Sequence, residues 1–310
     1  MIQENKQQPS SCQIVTMMCG VIIFWGINVI MIKYLSNYFP PLALAAIRTV
    51  IATSFLMPVC YRQYGYIALT RSSWKPVVGV ALFSIFIHQI ALSWGITATS
   101  ANHAVLILGL TPLFTTLLAS WLVKELLSRN KIGGAFLSLS GILLIITQSP
   151  GTAASTLAGD AVIFFAMLTY VLGSLCVKKS TEVMPPLAVT AYTHLLASLG
   201  LLILGFGINS EWIYAGALEP WPLTILFFSG WINTGLANIW WNTGVHHLGA
   251  STASLYLNGT PIVGMFASAL FLGEDLAWQH YLASVLVLIG VMTGTGAFTR
   301  LKSSKEPEQS

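Results

Sequence analysis

The sequence predicts an all-α membrane protein of ten transmembrane helices, built as two inverted-topology five-helix repeats. Three observations point there. Apolar runs of about 20 residues, enough for a helix to cross a hydrocarbon layer of about 30 Å, recur from end to end. Basic residues gather on one side of these runs. The second half of the chain repeats the first at a nearly constant offset.

Composition argues against an ordinary soluble domain. Of 310 residues, 55% are hydrophobic and 8% are charged, against roughly 25% charged in soluble proteins. Residues 1–13 lack the basic region and small-residue cleavage site of a secretory signal, so the first apolar run reads as a retained span. Cys12, Cys19, Cys60 and Cys176 have neither metal-ligand nor disulfide spacing and read as packing residues. The net charge of +4 is scattered over loop ends without forming a stripe, which disfavours a nucleic-acid partner. No cofactor or metal is expected.

The spans fall at 14–35, 42–61, 76–95, 103–122, 132–147, 159–178, 187–207, 222–243, 250–272 and 279–298. With a cytoplasmic N-terminus, the cytoplasmic segments carry twelve basic residues: Lys6, Arg62, Arg71, Lys75, Lys124, Arg129, Lys131, Lys178, Lys179, Arg300, Lys302 and Lys305. The opposite face holds Lys33 alone, and Arg48 lies inside a span. This asymmetry places both termini in the cytoplasm. Trp74, Trp212, Trp221, Trp278 and Tyr281 fall near span ends, where amphipathic rings anchor at the interface.

Self-comparison supplies the repeat. Phe39-Pro40-Pro41-Leu42-Ala43 recurs as Met184-Pro185-Pro186-Leu187-Ala188, an offset of 145 that also carries Lys33 onto Lys178. At an offset of 149, Gly95 meets Gly244, Ala101 meets Ala250, Thr111-Pro112 meets Thr260-Pro261, Glu125 meets Glu274 and Gly141 meets Gly290. Five helices is an odd number, so the second copy must cross in the opposite sense, as in many secondary transporters. The expected divisions are a tail at 1–13, a first repeat at 14–147, a linker at 148–158, a second repeat at 159–298 and a tail at 299–310.

These residues resemble the drug/metabolite transporter superfamily, specifically its EamA-like branch. Trp25-Gly26-Ile27-Asn28 with Lys33 resembles the family's first-helix signature, and Pro41 with Arg48 its second-helix pattern. Pro112, Glu125 and Gly141, repeated as Pro261, Glu274 and Gly290, complete the match. The resemblance implies ten helices and transport, commonly export, of amino acids and related metabolites across a bacterial inner membrane. A small-molecule solute and membrane lipids are the expected partners, and a monomer the expected assembly.

Polar groups at membrane depth are costly unless they face a cavity or a partner, so they are candidate solute contacts. On the eighth helix Trp231, Thr234, Gly235, Asn238, Trp241 and Asn242 fall at spacings of three and four, an uncharged polar and aromatic stripe. Gln89 and Ser93 are the third-helix counterparts of Asn238 and Asn242. Such a face suits a small polar or zwitterionic solute, although amides also join neighbouring helices. Trp25 and Asn28 share a face of the first helix, and Trp25 maps onto Tyr170.

Pro112 and Pro261, preceded by Thr111 and Thr260 and with Asn258 nearby, mark candidate hinges, each removing a backbone hydrogen bond in mid-helix. Asn258 is also a candidate solute contact. Arg48 needs a partner; helix-end carbonyls are the expected one and a solute carboxylate the alternative. His88, His103 and His194 are candidates for proton coupling. Glu125 reads as a helix-end anchor or local ion pair near Lys124, Arg129 and Lys131, with Glu274 its counterpart outside. Rival activities are efflux of amphipathic drugs and transport of a vitamin-like or nucleoside-like ring. An intramembrane enzyme is disfavoured, because no nucleophile elbow, mid-span acid pair or His-Glu-x-x-His motif is present.

Overall fold

The computed structural model describes residues 9–98, 107–126, 128–148, 157–208, 211–272 and 278–295. Its elements are all helical among these residues. The first half comprises α1 (Ser11–Leu35), α2 (Pro41–Tyr64), α3, α4 (Thr111–Leu122) and α5 (Arg129–Gln148). Helix α3 runs through Trp74–Val80, a π-helical stretch Ala81–Ile87, and His88–Ala98. The second half comprises α6 (Leu157–Thr181), α7 (Pro186–Ile208), α8, α9 and α10 (Trp278–Thr295). Helix α8 runs through Pro220–Phe228, a π-helical stretch Ser229–Leu236, and Ala237–Leu248, while α9 is Ala250–Tyr256, a 3-10 turn Leu257–Gly259, and Thr260–Leu272. Among the described residues, each expected span overlaps one of these ten helices. Among the described residues, five stretches are long and apolar enough to cross a membrane: Ser11–Ile32 of α1, α2, α6, α7 and the Trp74–Leu92 part of α3.

Local chemistry explains the boundaries. A capping box starts α1: Gln13 N–H donates to the Ser10 hydroxyl at 3.2 Å and Ser10 N–H to the Gln13 side-chain oxygen at 2.8 Å. The repeated Pro-Pro pairs start α2 and α7 at their second proline, where the missing N–H has no helical partner to lose. Gly249, at φ +83°, turns the chain between α8 and α9.

The halves are interleaved, and their main helix pairings recur on exchanging one half for the other. Helix α5 packs along α10 and α2 along α7; α1 on α8 mirrors α6 on α3; α1 on α9 mirrors α6 on α4. Single residues obey the same exchange. A Cβ on Gly244 would meet the Met18 sulfur at 2.1 Å, and one on Gly95 would meet Ile163 at 2.5 Å. Gly95 and Gly244 are repeat equivalents, as are Met18 and Ile163 at the offset of 145. Between α5 and α10, a Cβ on Gly134 would sit 2.5 Å from the Gly290 carbonyl, and Ser138 Oγ donates to the Val287 carbonyl at 3.4 Å. Ser138 and Val287 are 149 residues apart, the repeat offset itself. Small residues here let the two backbones meet closely. Large apolar side chains such as Ile203, Phe206 and Leu270 point outward. Cys12 and Cys19 are exposed on α1, so only Cys60 and Cys176 fit the expected packing role.

Candidate functional site

The two π-helical stretches shape the centre. Shifted by 149, Ala81–Ile87 overlays Ser229–Leu236. A π turn holds one more residue than an α turn, which rotates the following side chains and loosens local backbone bonding; such bulges recur at functional sites. In α8 the Thr234 hydroxyl donates to the Ser229 carbonyl five residues back, at 3.0 Å. The register change also corrects the expected stripe. Trp231 turns to the periphery, 44% exposed, with its indole N–H reaching Ser54 Oγ at 3.4 Å, while Asn238, Trp241 and Asn242 face inward.

Between the halves lies a small cavity with room for one or two water molecules. Its polar wall comes from Ser84 of α3, His194 and Thr193 of α7, and Asn238 and Asn242 of α8. Tyr170 and Trp241 supply its aromatic wall. Of the expected contacts, then, Tyr170, Asn238, Trp241 and Asn242 line it. Asn242 donates to the Thr190 hydroxyl at 2.8 Å, and His194 Nδ1–H donates to the Thr190 carbonyl at 2.8 Å. His88 Nδ1–H donates to the Ala166 carbonyl at 2.9 Å, and its ring lies 5.2 Å from that of Tyr170. A carbonyl can only accept, so it fixes the proton on Nδ1 in both histidines.

An aromatic cluster closes one side. The rings of Trp25, Tyr170 and Trp241 are mutually in contact, at 6.5 Å for Trp25 to Tyr170, 5.6 Å for Trp25 to Trp241 and 6.1 Å for Tyr170 to Trp241. Trp25 does not line the cavity itself. Its indole N–H donates to the Asn233 carbonyl in the π stretch at 3.0 Å, tying the first half to the second.

Asn28 belongs to a different group. Its side-chain oxygen accepts from Ser229 Oγ at 2.7 Å and from Arg48 Nη2 at 3.4 Å. Arg48 Nη2 also donates to Thr234 Oγ1 at 3.1 Å. Among the described residues Arg48's partners are therefore not the expected helix-end carbonyls but side-chain oxygens on α1 and α8, because the π stretch turns Ser229 and Thr234 toward α2.

The remaining candidates lie elsewhere. Gln89 is half-buried on α3, outside the cavity wall, and Asn258 is buried in the 3-10 turn of α9. Pro112 and Pro261 sit in the first turn of α4 and of the last segment of α9, so the helix restarts at each proline instead of losing an interior bond. Thr111 Oγ1 donates to the Leu108 carbonyl at 2.5 Å, whereas Thr260 Oγ1 has no partner among the described residues. The Ser93 side chain, His103 and Glu274 lie outside the described residues.

Glu125 takes the anchoring role in full. Its carboxylate accepts from Ala250 N–H at 2.7 Å, Ser251 N–H at 3.2 Å and the Ser251 hydroxyl, and lies 4.0 Å from Lys131 Nζ. Lys131 Nζ donates to Ser251 Oγ at 2.8 Å. First-half residues thus cap the N-terminus of second-half helix α9, where a carboxylate suits the exposed N–H groups. Across the bundle end, Lys178 Nζ donates to the His246 carbonyl in the last turn of α8 at 3.0 Å.

The sequence matches the EamA-like transporter family over residues 13–147 and 157–294, most of its length. The chain belongs to that family. It is accordingly a multi-pass membrane protein of transporter lineage. It is 27% identical to YyaM of Bacillus subtilis (strain 168), an uncharacterized transporter, over 95% of this chain and 97% of the relative. Identity is 25% to a probable amino-acid metabolite efflux pump of Salmonella typhimurium, over 90% of this chain and 93% of the pump. A solved crystal structure shares the fold with a TM-score of 0.79 at 16% identity, covering 93% of this family member and 99% of its own chain.

Proposed function

We propose that the chain is a secondary transporter that moves an amino acid or a related small metabolite, in the direction of export, by alternating access. Ten helices cross the bacterial inner membrane as two oppositely oriented bundles, both termini lie in the cytoplasm, and the working unit is a monomer. The observation that carries this reading is the shared cavity: both halves wall it, and the main helix pairings around it recur on exchange. Two halves so related can rock about a common site between states of similar energy. The printed role of the Salmonella relative, amino-acid metabolite efflux, supports the substrate class.

In this reading Asn238, Asn242 and, in the open states, Gln89 and Ser93 offer amide and hydroxyl groups to the solute. Trp25, Tyr170 and Trp241 offer flat apolar walls, and Asn28 and Asn258 border the path. The breaks before Pro112 and Pro261, with Thr111 and Thr260, act as hinges. His88 and His103 are the candidates for proton coupling. The cavity holds only water-sized space, so a solute enters when the halves part at one end. The aromatic cluster favours a second reading, a solute bearing a ring, such as an amphipathic drug or a vitamin-like or nucleoside-like compound.

Counterflow in proteoliposomes across a panel of amino acids, nucleosides and cationic dyes tests both. Exchange of amino acids alone supports the first reading, and exchange of ring compounds alone the second. No exchange of any solute by folded protein contradicts transport.

A further inference from the structure

We infer that Arg48 is the anion-binding residue of the pathway, holding the carboxylate of the solute; this rests on the transport reading above. Arg48 lies seven residues into α2, about 10 Å from its start at 1.5 Å per residue. It is 5% exposed. A guanidinium at such depth calls for a counter-charge, because charge in a dry interior is costly unless paired.

Among the described residues no counter-charge pairs with it. The side chains that bond Arg48, Asn28 on α1 and Thr234 on α8, are neutral, as is Ser229 beside them. Of the ten acids in the sequence, Glu4, Glu306 and Glu308 lie in the tails, and the other seven lie in loops or at the ends of predicted spans. Among the described residues the positive charge is therefore uncompensated.

The geometry of the guanidinium fits a visiting carboxylate. Both side-chain contacts are made by Nη2, at 3.1 and 3.4 Å, and Nε has no partner among the described residues. Arginine grips a carboxylate with two parallel N–H groups, and an edge containing Nε serves that purpose. The contact lies next to the cavity. Thr234, which takes one Arg48 bond on its hydroxyl, takes the amide N–H of cavity-lining Asn238 on its carbonyl at 2.8 Å. A solute with its carboxylate on Arg48 would reach past Thr234 toward Asn238 and the aromatic cluster.

Arg48 also bridges the halves, since α2 belongs to the first and Thr234 to the second. Parting of α2 from α8 exchanges the Thr234 hydroxyl for a carboxylate oxygen, so solute binding and movement of the halves draw on the same donor.

Competition counterflow tests this with matched pairs: L-leucine, L-threonine and L-phenylalanine, each against its own carboxamide, which keeps the shape and loses the negative charge. The wild type is expected to prefer the carboxylate at least tenfold, and Arg48→Gln to reduce that preference to near unity while still exchanging the carboxamide. Arg48→Lys keeps the charge without the two-pronged edge and should fall between; it carries the comparison if Arg48→Gln does not fold. Equal handling of acid and amide by the wild type overturns the inference while leaving transport standing. So does undiminished preference in a folded Arg48 variant. Absence of any exchange removes both the inference and the reading beneath it.

Discussion

Glu125→Ala cuts the tie between the halves at the start of α9. The carboxylate accepts two backbone N–H groups and one hydroxyl from Ala250 and Ser251 and faces Lys131 at 4.0 Å. Hydrogen bonds to a charged acceptor contribute about 1.5–3 kcal/mol each when dry. The side chain is 14% exposed, so water replaces part of each bond. About 1 kcal/mol per contact gives about 3 kcal/mol in all, or about a hundredfold shift toward a form parted at this end. In the proposed topology that end is cytoplasmic. Hydrogen exchange on protein in lipid nanodiscs reads the shift. Faster exchange is expected in the first turn of α9 and also in the cavity-lining parts of α6 and α8, around Tyr170 and Asn238. Acceleration confined to the first turn of α9 would show that Glu125 is a helix cap only, with no part in gating.

Three further outcomes are expected. Gly134→Val forces a side chain into the Gly290 carbonyl at 2.5 Å and should destabilise the fold by about 3 kcal/mol, whereas Gly133→Val, with nothing within 4 Å, should be tolerated; thermal melting of the pair in detergent checks this. Trp25→Phe removes the indole bond to the Asn233 carbonyl that ties the halves and should cost about 1 kcal/mol in a detergent unfolding titration. Pro261→Ala restores an N–H to a helix start and should leave the melting temperature nearly unchanged; if the break acts as a hinge, the counterflow rate falls several-fold, and an unaltered rate assigns the proline to shape alone.

Much of the architecture was legible because it is written in local signals and in self-similarity. Spanning runs, the Pro-Pro helix starts and the paired Gly95 and Gly244 needed no knowledge of partners. Glu125 was legible as a helix-end anchor for the same reason, although which helix it caps, 125 residues away, was not. The centre was harder. An α-helical period put Trp231 beside Asn238, and nothing in Ser229-Gly230-Trp231-Ile232 announces a π turn; the overlay of α3 on α8 shows only that both halves carry the same irregularity. Arg48 stood out by its charge, but its neighbours Asn28 and Thr234 are 20 and 186 residues distant, and sequence spacing does not encode such contacts.

Thiol labelling at Ser84→Cys, with the four native cysteines replaced, tests the shared site most directly, because Ser84 lines the cavity from the first half. A membrane-impermeant maleimide should modify it from either side of sealed vesicles of both orientations, and a transported solute should raise one rate as it lowers the other. Labelling from one side alone, unmoved by any solute, or from neither side, would contradict a chamber that opens alternately.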